Sequence, residues 1–234
     1  MVKLLQPMSK NNYPVSVVIS TRKIDDEYLK HVSKMFSHPK TEILVYENEG
    51  EYSLPQLYNV GLRDSQYDDV VFMHDDLTIE TVNVTKKITR LFDNNPEFGI
   101  IGIAGTNNLI SGMWWQDRAS MFGQVKHEHL GKIHRNSYSG LLGEDLKKVV
   151  AVDGLFFAIR KSRIKNGFDE EFPGFHFYDI PFCVSNYLAG VKIGVTTKIT
   201  VVHKSIGMVN EQWKQNKELF ETKFGGNLPL VAIS

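Results

Sequence analysis

Short apolar runs alternate with amphipathic stretches through the first hundred residues, and that alternation predicts the layout. VSVVIST at 15–21, EILVY at 42–46, VVFM at 70–73 and IIGIA at 100–104 are short, mostly β-branched or aromatic, and nearly free of charge, as buried strands are. Pro14 stands at the entrance of the first, where a missing N–H does least harm. Asp25 and Asp26 then open a segment whose Tyr28, Leu29, Val32, Met35 and Phe36 fall on one helical face. Ser53 and Gln56 have capping-box spacing ahead of Leu54, Leu57, Tyr58 and Leu62. Residues 81–94 place Val84, Ile88, Leu91 and Phe92 inward, and Pro96 closes that helix. The order β-α-β-α-β-α-β predicts a parallel, doubly wound sheet in this half.

Beyond residue 106 the pattern loosens. Residues 107–147 carry Met113-Trp114-Trp115, scattered glycines and Lys126-His127-Glu128-His129, which predicts short antiparallel strands and loops without a long helix. VVAVDGLFFAIR at 149–160 reads as a buried strand interrupted at Asp153-Gly154. An acid inside such a run is costly to bury unpaired, so Asp153 is either hydrogen-bonded structurally or faces the site, and the adjacent glycine lets a ligand approach the backbone closely. Ile180, Cys183, Val184, Tyr187 and Leu188 repeat at helical period, with Pro181 in the first turn and Gly190 at the end. That predicts a helix from about Asp179 to Ala189, with Asp179 as its N-cap. Strands are expected over 191–195 and 200–202. An amphipathic helix over 210–224 carries Trp213, Lys217, Phe220 and Phe224 on one stripe, suited to core packing, to covering a cleft or to a homodimer seam.

Composition narrows the function classes. The chain has 234 residues, enough for a sizeable core, and 27 basic against 27 acidic residues, so nothing suggests a nucleic-acid surface. No apolar run is long enough to cross a bilayer, which leaves only peripheral membrane association, and the N-terminus lacks a signal-peptide core. The single cysteine, Cys183, cannot form an internal disulfide, and a reducing cytoplasm is the simplest compartment.

The candidate chemistry lies at the strand ends. Thr21-Arg22-Lys23, Glu47-Asn48-Glu49 and His74-Asp75-Asp76 follow the first three strands, where ligands bind in open α/β sheets. Adjacent carboxylates repel, so a cation is expected there, and a hard divalent ion suits oxygen ligands. Neither a G-x-G-x-x-G fingerprint nor a Walker P-loop is present, so a bound phosphate would depend on that cation rather than on a glycine-rich cradle. By residue type alone an Asp-rich turn is equally consistent with the triplet. Trp114 and Trp115 are suited either to stacking on a sugar or to the core. His127 and His129 have chelating spacing but read better as solvated side chains.

From the first strand to about His203 the chain resembles the family 2 glycosyltransferases of the GT-A fold. The matching residues are VSVVIST at 15–21, Glu47, Asn59-Val60-Gly61 and FMHDDL at 72–77. The resemblance implies an α/β GT-A fold of the nucleotide-diphospho-sugar transferase type, with a mixed, mainly parallel sheet flanked by helices. It implies one domain over 1–234, with a nucleotide-binding half near 14–106 and an acceptor-binding half near 107–234. It also implies that Asp76 and His203 hold Mn²⁺ or Mg²⁺ and that Thr21, Arg22, Glu47, Asn59, His74 and Asp75 lie around the donor. Asp179 would be the catalytic base, and Trp114, Trp115, Asp153 and His176 would face the acceptor. Two departures stand out: His74 replaces the first acid of the usual Asp-x-Asp, and Tyr178 replaces the Glu that usually precedes the base. The family's Arg before Asn-x-Gly is also absent, Tyr58 taking its place.

The expected activity is metal-dependent, inverting transfer of a sugar from a nucleotide-sugar, a UDP-sugar by preference, to a hydroxyl on a glycan, lipid-linked or protein acceptor in glycan or polysaccharide synthesis. A non-catalytic sugar-binding module of the same fold is the alternative. A nucleotide-sugar pyrophosphorylase is less consistent, because it needs a glycine-rich loop after the first strand.

Overall fold

Local capping chemistry sets the helix starts in the first half. The computed structural model describes residues 14–138, 144–205, 207 and 209–232. Its first half runs β1 (Ser16–Thr21), α1 (Asp26–Phe36), β2 (Glu42–Glu47), α2 (Leu54–Asp64), β3 (Asp69–His74), β4 (Leu77–Ile79), α3 (Val84–Asn94) and β5 (Phe98–Gly102). Asp25 caps α1 by accepting from the Glu27 and Tyr28 N–H groups. Ser53 and Gln56 form a reciprocal capping box on α2. The third helix begins at Val84 rather than at residue 81, because 77–79 forms a strand and Asn83 turns through a left-handed conformation.

The second half runs β6 (Ala104–Thr106), β7 (Asn108–Leu109), β8 (Met121–His129), β9 (Lys132–Ser137), β10 (Lys147–Val149), β11 (Ala151–Val152), β12 (Phe156–Arg160), α4 (Asp179–Leu188), β13 (Lys192–Val195), β14 (Val201–His203), α5 (Glu211–Phe224) and β15 (Leu230–Val231). As expected, 107–147 contains strands and loops without a long helix among its described residues.

Seven strands form the main sheet in the order β10-β13-β5-β12-β3-β1-β2. The parallel portion expected from the first half is β2-β1-β3. The fourth strand of that half does not continue it directly, because β12 lies between β3 and β5, antiparallel to both. Its FFAI run is buried on both faces and fits a central position as well as any strand of the first half. A second sheet, β11-β6-β8-β14-β4, carries β9 on β8.

The interruption at Asp153-Gly154 has an architectural meaning: it switches the chain from β11 in the second sheet to β12 in the first. Packing around the main sheet is close. A Cβ on Gly61 of α2 would lie 2.5 Å from Val18 of β1, so the helix can approach this strand only with glycine there. At the end of β3 and β12 farthest from His74, Arg160 makes a two-pronged contact with Asp69 at 2.7 and 2.9 Å and reaches Asp93 at 3.1 Å.

Candidate active site

Strand register brings distant polar residues together. The last residue of β3 is His74, and two residues later Asp76 precedes β4. Antiparallel pairing sets Leu77 opposite His203, the last residue of β14, and the Lys204 N–H donates to the Asp76 carbonyl at 3.1 Å. His203 is also in register with His127 on β8.

The resulting cluster is His74, Asp76 and His203, whose candidate ligand atoms lie within 4.8 Å of one another. Asp76 Oδ1 is 3.2 Å from His203 Nε2 and 4.0 Å from His74 Nδ1. The first is an ion-pair distance without hydrogen-bond direction, since Nε2 is also 3.0 Å from the Ser205 hydroxyl. Asp76 Oδ1 and His203 Nδ1 are both buried without a hydrogen-bond partner among the described residues. Such orphaned atoms are costly unless something else satisfies them, and a divalent cation answers a carboxylate and an imidazole together. Burial alone would raise the Asp76 carboxyl, but His203, His74 and Ser205 outweigh it and hold the group below its ordinary value. His74 is pushed down to about 4, chiefly by burial and then by the neighbouring His203.

A second group adjoins the first. Tyr178 OH lies 2.6 Å from His74 Nε2, and the next residue is Asp179. The carboxylate of Asp179 does not cap α4, contrary to expectation. Tyr178 is the N-cap residue, and Asp179, the first helical residue, accepts a 2.8 Å hydrogen bond from the Gly154 N–H across the break between β11 and β12. Burial, followed by the charge of Asp153, pushes Asp179 up to about 7. Asp153 is itself raised, first by burial, while the Leu155 N–H bonded to its carboxylate pulls the other way.

A cleft of about 210 Å³ opens beside this centre at the ends of β1 and β3. Thr21, Ile24, Tyr28, Val45, Asp75 and Lys204 are among its lining residues. Tyr28 also donates to the His74 carbonyl at 2.8 Å, so one α1 side chain serves both the cleft wall and the cluster. Glu47 is paired with Thr21 across β1 and β2, and its carboxylate reaches the Ile24 N–H at 3.4 Å. Arg22 follows on the exposed rim.

A protein-family model described as a glycosyltransferase-like family matches residues 16–224. The chain belongs to this glycosyltransferase-like family. Among solved structures it is similar to GalNAc-T7 with UDP, GalNAc and Mn²⁺, at TM-score 0.55 and 12% identity, over 91% of this chain and 48% of that one. It is also similar to a mannosyltransferase from Pyrobaculum calidifontis in complex with GDP-Man and Mn²⁺, at TM-score 0.57 and 10% identity, over 94% of this chain and 66% of that one. The chain thus spans about half the length of the first neighbour and about two thirds of the second. The shared fold is GT-A. No curated protein sequence gives a match.

Within this glycosyltransferase fold, some residues nominated from sequence have other work. Asn59 uses both ends of its amide on the 168–170 turn: it donates to the Phe168 carbonyl at 2.9 Å and to Glu170 at 2.7 Å, and accepts from the Phe168 N–H at 2.8 Å. It therefore clamps two chain segments. Trp114 is 5% exposed and packs edge-on against Trp115 and Tyr138, so it belongs to the core. Trp115 is 41% exposed and meets Trp213 of α5 at 6.0 Å between ring centres. His176 is half-buried, with its imidazole pushed down by desolvation and its carbonyl held by Asn216 at 2.9 Å.

Sequence reasoning did not nominate Tyr28, Gly154, Ser205 or Trp213 for the site. Gly154 left a trace as the glycine beside Asp153, and Trp213 as the aromatic lead of an amphipathic stripe. Among the described residues, no helix is long and apolar enough to cross a membrane.

Proposed function

We propose that this member of the glycosyltransferase-like family transfers a sugar from a UDP-sugar to a hydroxyl acceptor with inversion at the anomeric carbon. The observation that carries this reading is a juxtaposition: Asp76 and His203 lie 3.2 Å apart, each with one buried polar atom lacking a hydrogen-bond partner among the described residues, beside a cleft lined by their neighbours Asp75 and Lys204, with the elevated carboxyl of Asp179 one residue from the group touching His74.

Asp76 and His203 would hold the divalent ion, and an imidazole ligand favours Mn²⁺ over Mg²⁺. When bound, the ion neutralises charge on the leaving nucleoside diphosphate. Thr21, Glu47 and the face of Tyr28 line the donor side, with Arg22 and Asp75 at its rim. Asp179 accepts the acceptor hydroxyl's proton at a carboxylate oxygen. The Gly154 N–H fixes the orientation of that carboxylate, and a value near neutrality makes it a competent base. Trp115 and Trp213 form the wall on which a sugar acceptor can stack, and Asp153 and His176 would face the same acceptor.

Calorimetric titration with UDP, with Mn²⁺ and with chelator, tests the donor site. UDP is expected to bind more tightly with Mn²⁺, and Asp76→Ala to abolish the difference while the protein stays folded. His203→Ala should reduce it less. Equal UDP affinity with and without metal in the wild type would refute the metal assignment, and absence of transfer from any UDP-sugar with UDP still bound would favour a binding module of the same fold.

A further inference from the structure

We infer that Asn216 of α5 is a positioning residue for the proposed base: it holds the turn at His176–Phe177 that sets the Asp179 carboxylate on the Gly154 N–H. The inference rests on the reading of Asp179 as the base and adds what keeps that carboxylate in place.

The backbone is strained two residues before Asp179. Phe177 has φ 58°, a left-handed conformation in which a bulky side chain crowds its own backbone. A residue stays there only where its surroundings allow no alternative. At Phe177 the ring and the backbone are held separately. The buried ring stacks on Phe172 at 6.4 Å between centres and meets Trp213 at 5.3 Å and Phe220 at 5.9 Å. A Cβ on Gly112 would lie 2.6 Å from the same ring, so the chain closes on it there too. The backbone is held by Asn216, which is 1% exposed and uses both amide hydrogens on this loop. It donates to the Pro173 carbonyl and to the His176 carbonyl, each at 2.9 Å. Its oxygen accepts from Gln212 at 3.0 Å, which fixes the amide in that orientation. The His176 carbonyl belongs to the peptide plane that leads into Phe177, so this bond acts directly on the strained φ.

Trp213, Asn216 and Phe220 recur at i, i+3 and i+7, so one face of α5 grips both the ring and the backbone. What the turn controls is the start of α4. Tyr178 is the N-cap residue and Asp179 the first helical residue. The body of α4 is anchored by buried Phe182, Cys183 and Val184. Release of Phe177 to an ordinary conformation would therefore leave the helix in place and unwind its first turn, taking the Asp179 carboxylate off the Gly154 N–H. Trp213 also meets Trp115, so the helix face that sets the base carries part of the proposed acceptor wall.

Asn216→Ala removes both donors, and two readouts follow. Amide hydrogen exchange by NMR is expected to show the Gly154 N–H exchanging at least about tenfold faster than in wild type, a larger factor than for the amides of β3, which report general loosening. The kcat of transfer is expected to fall at least about tenfold with UDP affinity kept. In an Asp179→Asn background the same substitution is expected to lower kcat by less than about twofold, because the group it positions is already gone. An equal factor in both backgrounds overturns the proposal, and so does Gly154 exchange that rises no more than that of β3. Near-wild-type transfer by Asp179→Asn alone refutes the base reading instead, while the exchange result still decides whether Asn216 holds the carboxylate. Should Asn216→Ala fail to fold, Asn216→Ser, which leaves one donor for the two carbonyls, is read against the same two criteria.

Discussion

Asp179→Asn separates the proposed base from its structural role. The wild-type carboxyl is shifted from an ordinary 3.8 to about 7 by burial and by Asp153. Between those two values the folded state binds a proton that the unfolded state has released. Stability from this group is therefore complete below about pH 4 and is lost as pH rises through 7. At about 1.4 kcal/mol per pH unit the ceiling on that loss is on the order of 4 kcal/mol. Asn keeps an oxygen to accept from the Gly154 N–H and removes the charge.

The variant should thus be more stable than wild type at pH 8, by at most on the order of 4 kcal/mol, and nearly equal at pH 4. Urea unfolding at the two pH values measures this. Transfer should fall by about two to four orders of magnitude, and the rise of the wild-type rate with pH through about 7 should vanish. Donor binding should be unchanged, because the base acts on the acceptor. Identical pH dependence of stability in both proteins would refute the elevated carboxyl. Near-wild-type transfer by Asp179→Asn would move the base to Asp153, Asp169 or Glu170.

Two further substitutions probe the walls of the site. Trp114→Ala should cost about 3–5 kcal/mol in urea unfolding because its ring is core, whereas Trp115→Ala should cost under about 1 kcal/mol and instead raise the acceptor KM; the opposite ranking would remove Trp115 from the acceptor wall. Gly154→Ala places a methyl group 2.3 Å from the Tyr178 hydroxyl, so it should displace Tyr178 and the Asp179 carboxylate together, lowering kcat by at least about tenfold with UDP affinity nearly kept; a fully active Gly154→Ala would show that neither side chain needs its observed position.

The sequence by itself determined most of the local architecture. Capping at Asp25 and at Ser53–Gln56 is a matter of a few neighbouring atoms, and both appear as read. The strand ends at Thr21, Glu47, His74 and His203 follow from apolar runs giving way to polar residues. Asp76 stands out in the sequence as an acid at a strand end, whereas Asp179, which by residue type reads as an N-cap, was nominated as a base only by the family resemblance. Sequence spacing could not decide what those groups face. The antiparallel insertion of β12, the seating of His203 beside Asp76, and the contact of Tyr178 with His74 depend on which strands pair and in which register. The same limit applies to what each side chain meets: Asn59 spans to residues 168–170, Trp114 is buried while the adjacent Trp115 is exposed, and the Asp179 oxygen expected to cap its helix bonds to Gly154 instead. Periodicity reports how each segment divides between core and solvent, whereas the partner across a sheet is chosen by the summed packing of the whole core, and only the tertiary structure records that choice.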